Sequence, residues 1–229
     1  MERKKRVSRK KLLKEPDEFI TISGKLLAFV VKKKIPMFWA LGIFVAMTIL
    51  MFGIQYFMNT AENNASGMLD QLMVNYSRLV EEKGQVKAYL DMDKDFQDLL
   101  NKYGGRRVGK FARLYYGDIC FDAGEYDKAI AQYQHALEDF KRISPYENLI
   151  LKSMGYSYEE KKDFSAAVKN FEKILSEPDP LMKDEVLFAL ARIYMSMGQR
   201  EKGIDAYKKL IAGYPDSMFI DVAKHNVLN

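Results

Sequence analysis

Twenty-two consecutive residues, Pro36 to Phe57 (PMFWALGIFVAMTILMFGIQYF), carry no charge, and Lys32, Lys33 and Lys34 stand directly before them. As a helix rising about 1.5 Å per residue, this stretch reaches roughly 33 Å, enough to cross the hydrocarbon core of a bilayer. The uncharged run extends from Ile35 to Ala61, Glu62 is the first charge beyond it, and no Lys or Arg follows until Arg78. Residues 1–34 hold twelve Lys/Arg against four Asp/Glu, a net of +8. That asymmetry places the N-terminus in the cytoplasm and the body outside. Trp39 and Tyr56 stand near the two ends, where aromatic anchors belong. A cleaved signal is disfavoured, because the run exceeds the roughly 7–15 residues of such a core.

The chain's net charge of +5 therefore misdescribes its body, since removing the +8 head leaves −3 for residues 35–229. Nucleic-acid binding needs a basic stripe on the folded part, and the sequence offers none. The tail's Arg3-Lys4-Lys5-Arg6 and Arg9-Lys10-Lys11 read first as a topology signal, with anionic headgroups as a second role. After Pro16, Asp17 suits a helix cap, and Phe19, Ile22, Leu26, Leu27 and Val30 recur at helical spacing. A short amphipathic helix is expected over 17–34.

Beyond the span, Ala65, Met68, Leu69, Leu72, Met73, Tyr76, Leu79 and Val80 follow the i, i+3, i+4, i+7 rule, and Gly84 marks a break. A second helix carrying Phe96, Leu99, Leu100 and Tyr103 ends at Gly104-Gly105, a pair suited to a left-handed cap. Residues 62–103 are thus expected to form an antiparallel hairpin.

Self-similarity follows. GDICFDAGEYDKAIAQYQHAL (117–137), GYSYEEKKDFSAAVKNFEKIL (155–175) and ARIYMSMGQREKGIDAYKKLI (191–211) start 38 and 36 residues apart. Each begins with a small residue (Gly117, Gly155, Ala191). Another follows twelve positions on (Ala129, Ala167, Gly203), and an aromatic comes four later (Tyr133, Phe171, Tyr207). Small residues let two helices approach, and the aromatic is expected to fill the gap toward the next unit. Gly124 and Gly198 suit tight turns, and Lys162 stands in their place in the second unit. Pro145, Pro178 with Pro180, and Pro215 are expected to close the units.

This pattern resembles the tetratricopeptide repeat, a helix pair of 34 residues, most closely in the first unit. The resemblance implies an all-α solenoid of about three repeats, with residues 217–228 as a C-terminal capping helix. The expected divisions are a basic tail at 1–34, a transmembrane helix at 35–58, a helical hairpin at 59–105 and a repeat domain at 106–229. A narrower resemblance rests on LLKEPDEF (12–19), the single span, and the run from FQDLLNKYGGRRVGKFARLYYGD into the first repeat. In that order these parts look like the YfgM-like family of inner-membrane proteins. That resemblance implies a bacterial inner-membrane location with a periplasmic repeat domain, working beside Sec translocon subunits and periplasmic folding factors. The alternative is an envelope-assembly or cell-division adaptor, although such adaptors carry a lipid-modified cysteine or a cleaved signal.

No catalytic constellation, cofactor site or metal site is expected. Cys120 has no partner for a disulfide within the chain and is expected to be buried. His135 and His225 belong to no ligand pattern and are expected on solvated surfaces. The D-x-D-x-D string at 91–95 fails as a calcium loop at Phe96 and Lys102, so an acidic first helical turn is the expected role. Gly104-Gly105-Arg106-Arg107 reads as a polar turn. The resemblance places the binding surface on the first helix of each repeat, helix A. Its outward positions are Phe111, Leu114, Asp118, Phe121 and Asp122; Leu149, Lys152, Tyr156, Glu159 and Glu160; and Phe188, Arg192 and Met195. The expected partner-binding groove comprises Asp118, Phe121, Asp122, Tyr156, Glu159, Glu160, Arg192 and Met195. Aromatic and acidic groups along one face suit a peptide segment of a partner protein. With Arg192 the lone basic residue among them, no clamp for a C-terminal carboxylate is expected.

Overall fold

The computed structural model describes residues 24–25, 31–141, 143–177 and 182–228. These form helices joined by short turns, without a strand among the described residues. Most of the expected 17–34 helix lies outside them, as do Pro178 and Pro180.

Helix α1 runs from Lys34 to Lys83. Its residues to Asn59 belong to one compact unit, and Thr60 onward belongs to another. In the first unit Phe38, Trp39, Phe44, Phe52, Tyr56 and Phe57 are all exposed. Helix α1 is long and apolar enough to cross a membrane, with a mean hydropathy of 2.3 over 18 residues.

In the second unit, α1 buries Ala65, Leu69, Leu72 and Tyr76, and Gly84 breaks the chain at φ +81°. Helix α2 (Gln85–Tyr103) returns Ala88, Tyr89, Met92, Phe96 and Leu99 to the same core. Tyr76 meets Phe96 edge-on at 6.4 Å, and Phe96 stacks on Tyr116 at 5.5 Å. Each such pair adds about 0.5–1.5 kcal/mol beyond its buried area.

Two local expectations fail here. Gly104 caps α2 in the right-handed region at φ −57°, so there is no left-handed cap. Glycine is needed there for space, because a Cβ would stand 2.4 Å from the Leu100 carbonyl oxygen. The 91–95 carboxylates also lie in mid-helix, since α2 begins at Gln85 and has no acidic first turn. Asp91 instead pairs with Lys83 at 2.8 Å, and Asp93 accepts hydrogen bonds from Tyr116 and Gln97.

Helix α3 (Arg107–Asp122) lacks a side-chain cap from Arg106. Its free N–H groups are served from α1, where Glu62 accepts from the Val108 N–H at 2.7 Å and lies 3.6 Å from the Arg107 guanidinium. A carboxylate at that end also meets the positive pole of the helix.

The repeats are the pairs α3 and α4 (Tyr126–Asp139), α5 (Ser144–Glu160) and α6 (Phe164–Leu175), and α7 (Lys183–Ser196) and α8 (Arg200–Gly213). One turn geometry recurs between their members. Gly124, Lys162 and Gly198 adopt φ of +81°, +63° and +73°. In each turn that residue's N–H bonds the carbonyl three back, and the next N–H bonds the carbonyl five back. Glu125 to Cys120, Asp163 to Tyr158 and Gln199 to Tyr194 span 2.8, 2.9 and 2.8 Å. This is the Schellman closure, which satisfies carbonyls that a helix end leaves free.

The small-residue spacing also has its physical counterpart, although in the first two units the aromatic covers the small residue of its own unit. A Cβ at Gly117 would lie 2.7 Å from the Tyr133 ring, and one at Gly155 would lie 2.7 Å from Phe171. Phe171 also belongs to a core shared with Val186 and Leu190 of the next unit. Pro145 opens α5 within its first turn and does not close a unit, as suits a residue without an N–H to donate. Helix α9 (Ile220–Leu228) ends the array, with Phe219, Ile220, Ala223 and Val227 packed against Leu187, Tyr207 and Leu210. It begins three residues later than expected and covers the last repeat's apolar face.

Candidate functional site

At the junction of repeats one and two, a depression of about 150 Å³ is lined by Asp118, Phe121, Asp122, Tyr133, Ser153 and Tyr156. Four of the eight expected groove residues therefore converge from α3 and α5. Gly117 and Gly155 draw the helices of each pair together, which leaves Asp118 and Tyr156, one residue later, on the open face. Tyr133 donates to Asp118 at 2.6 Å. Phe121 is held edge-on by Tyr126 at 5.5 Å, and Tyr156 by Phe171 at 5.2 Å. Asp118 keeps one side open to solvent, yet burial raises its carboxyl above the ordinary aspartate value, and neighbouring Asp122 adds to the rise. The Asp122 carboxyl is raised by burial alone.

The remaining expected residues divide. Glu159 accepts from Arg192 at 2.8 Å, and burial still raises its carboxyl despite that cation. Glu160 lies 3.5 Å from the Tyr126 hydroxyl. Met195 turns inward, since a Cβ on Gly203 would approach its side chain to 2.9 Å. Phe111 packs on Phe140 and Tyr146, and Phe188 stacks on Phe219 at 4.5 Å. These three side chains serve the cores more than the groove.

Glu185 was not among the expected residues. It accepts from Lys152 at 3.0 Å and from the Tyr156 hydroxyl at 2.9 Å, tying α5 to α7. Burial, then the Glu185 charge, hold the Tyr156 phenol un-ionised. The repeat spacing contained this residue, because Glu185 stands six before Ala191, as Phe111 stands before Gly117 and Leu149 before Gly155.

A wider depression of about 420 Å³ lies among α2, α3 and α4 and includes Arg113, Lys128 and His135. Its two permanent cations are satisfied internally. Arg113 pairs with Asp139 at 3.2 Å, and Lys128 meets Asp93 and the Tyr89 hydroxyl. Cys120 is fully buried, and burial pushes its thiol up to about 12. His135 and His225 are exposed.

The tetratricopeptide-repeat family profile matches residues 185–217, the third unit. Among solved structures, a tetratricopeptide repeat protein from Parabacteroides merdae is similar at 14% identity and a TM-score of 0.55. The similarity covers 70% of this chain and 59% of that one, so this chain spans well under two thirds of its length. A MamA double mutant (15% identity, TM-score 0.49) covers 66% of this chain and 77% of its own. A repeat protein from Cytophaga hutchinsonii (18% identity, TM-score 0.47) covers 72% and 66%. No curated protein matches the chain by sequence. The chain thus has a tetratricopeptide-like helical fold, its third repeat matching the family profile and 70% of its length resembling a solved repeat protein.

Proposed function

We propose that this protein is a membrane-tethered, non-catalytic interaction scaffold whose helix-A face captures a polypeptide segment of a partner. The observation that carries the reading is the convergence of Asp118, Phe121, Asp122 and Tyr156 on one open depression between repeats. Tethering is supported by the exposed apolar residues of α1 and by the lysines before them. A tether raises effective concentration beside a membrane complex, so modest intrinsic affinity suffices. In the finer version, residues 35–58 span the bacterial inner membrane and the repeats at 106–229 work in the periplasm. The partners would then be Sec translocon subunits and folding factors. The adaptor alternative shares the binding face and differs in partner.

Site-specific photocrosslinking in native membranes tests both halves. A crosslinker at Leu149, exposed on helix A, should capture one discrete set of partners. The same group at exposed Lys169 on helix α6 should not. Recovery of translocon subunits favours the finer version. Equal capture from both positions refutes the groove, and labelling of Ser8→Cys from outside the cell refutes the topology. Asn64, exposed on α1, is the matching outer position, because Glu62 is engaged with α3.

A further inference from the structure

The depression between repeats one and two holds two carboxylates and no cation among the described residues. Among the described residues, Asp118 has one donor, the Tyr133 hydroxyl, and no Lys or Arg pairs with Asp118 or Asp122. Further along the same face the chain supplies its own counter-charges, Lys152 for Glu185 and Arg192 for Glu159. Asp118 and Asp122 thus set two carboxylates without a counter-charge side by side in one depression, whereas Glu160, also without a cation among the described residues, lies outside it. Its aromatic walls are fixed in advance, with Phe121 held by Tyr126, and Tyr156 held by Phe171 and Glu185. Walls already ordered cost little further entropy when a ligand enters.

We propose that this pocket receives an arginine or lysine side chain from an extended partner segment, its charged head at Asp118 and Asp122 and its stem along Phe121 and Tyr156. The inference rests on the groove reading and names what that groove selects. Arginine is the better fit, because a planar guanidinium serves two carboxylates at once and also stacks on aromatic rings. A hard divalent cation is poorly matched, since two carboxylates between aromatic walls supply too few of the six to eight oxygens calcium takes. A C-terminal carboxylate would meet like charge. Burial raises both carboxyl groups, and a docked cation would lower them again.

The test uses full-length protein in detergent and two rhodamine-labelled Ser/Gly/Leu peptides, one with a central arginine and its twin with neutral citrulline. Fluorescence anisotropy should show the arginine peptide binding about tenfold tighter, with the difference shrinking as salt rises. In Asp118→Asn/Asp122→Asn the two peptides should bind alike. Equal affinity of both peptides for the native protein overturns the pocket, as does failure of the arginine peptide to bind. If both bind equally and both displace the Leu149 crosslink, the groove stands and only its charge selectivity falls. Should the double variant lose helicity, the comparison of the two peptides on native protein still decides.

Discussion

Lys162 should be replaceable by glycine with a gain in stability, and the repeats supply the control. Three turns share one hydrogen-bonding pattern and a positive φ, and only the second places a side chain there. An L-residue in the left-handed region costs about 1–2 kcal/mol. Glycine removes that cost but gives back about 0.5–1 kcal/mol through the greater freedom of the unfolded chain. The Lys162 side chain is exposed, so little packing is lost. The net is a stabilisation of about 0.5–1 kcal/mol. In a repeat body of this size that raises Tm by roughly 1–4 °C. Far-ultraviolet circular dichroism during thermal unfolding in detergent measures it. Lys162→Ala serves as the control, because alanine carries the same left-handed cost, and it should leave Tm nearly unchanged. Gly124→Ala should lower Tm by at least the amount that Lys162→Gly raises it. If Lys162→Gly fails to stabilise, or if alanine matches it, the attribution to backbone geometry is wrong.

Glu62→Ala removes the carboxylate that accepts from the Val108 N–H at the N-terminus of α3 and should cost about 1 kcal/mol, the usual worth of a lost cap, read as a fall in the urea midpoint. Glu62→Gln, which keeps an acceptor, should recover part of it. Cys120, with its thiol pushed up to about 12, should resist maleimide in the native protein and label only on unfolding; rapid native labelling would contradict its burial. Asp118→Asn should raise Tm at neutral pH. Because the folded-state value is raised above 3.8, the native chain binds more protons than the unfolded one between the two values. Stability is therefore lost as pH rises through the folded value, and asparagine abolishes the loss. The advantage of the variant should vanish below about pH 3.8, and a gain that persists there would point to a cause other than ionisation.

The sequence exposed whatever is periodic and local. The spacing of Gly117, Ala129 and Tyr133 recurs because close helix pairs need small residues facing a ring, and Gly124 and Gly198 mark turns that only a positive φ can make. The apolar run of α1 was legible for a similar reason, since twenty-two successive uncharged residues stand out by length alone. What escaped depends on distant groups. The cap that Glu62 gives α3 joins residues 46 apart, with no local pattern to announce it. Gly104 looked like a left-handed cap because the same residue serves two needs, unusual φ and close approach, and here the second governs. Among the groove residues, spacing identified the helix face but not which side chains the neighbouring repeat would claim. Phe188 and Met195 were claimed by the third core.

The division of charge along helix A decides which substitutions can probe binding without disturbing the fold. Glu159 and Glu185 each bridge α5 to α7, so altering either one disturbs the stacking of repeats as well as the surface. Reversing the charge at Glu159 is accordingly a poor probe of binding, because it strands Arg192 at the same time. Asp118 and Asp122 are different. Their carboxylates are partly desolvated without a cation, so the folded state carries them at a loss. Under the proposal above, these carboxylates, beside rings already held in place, would be completed by the partner's cation. Substitution there separates binding from folding: removing the carboxylates should steady the array while it empties the pocket of its selectivity.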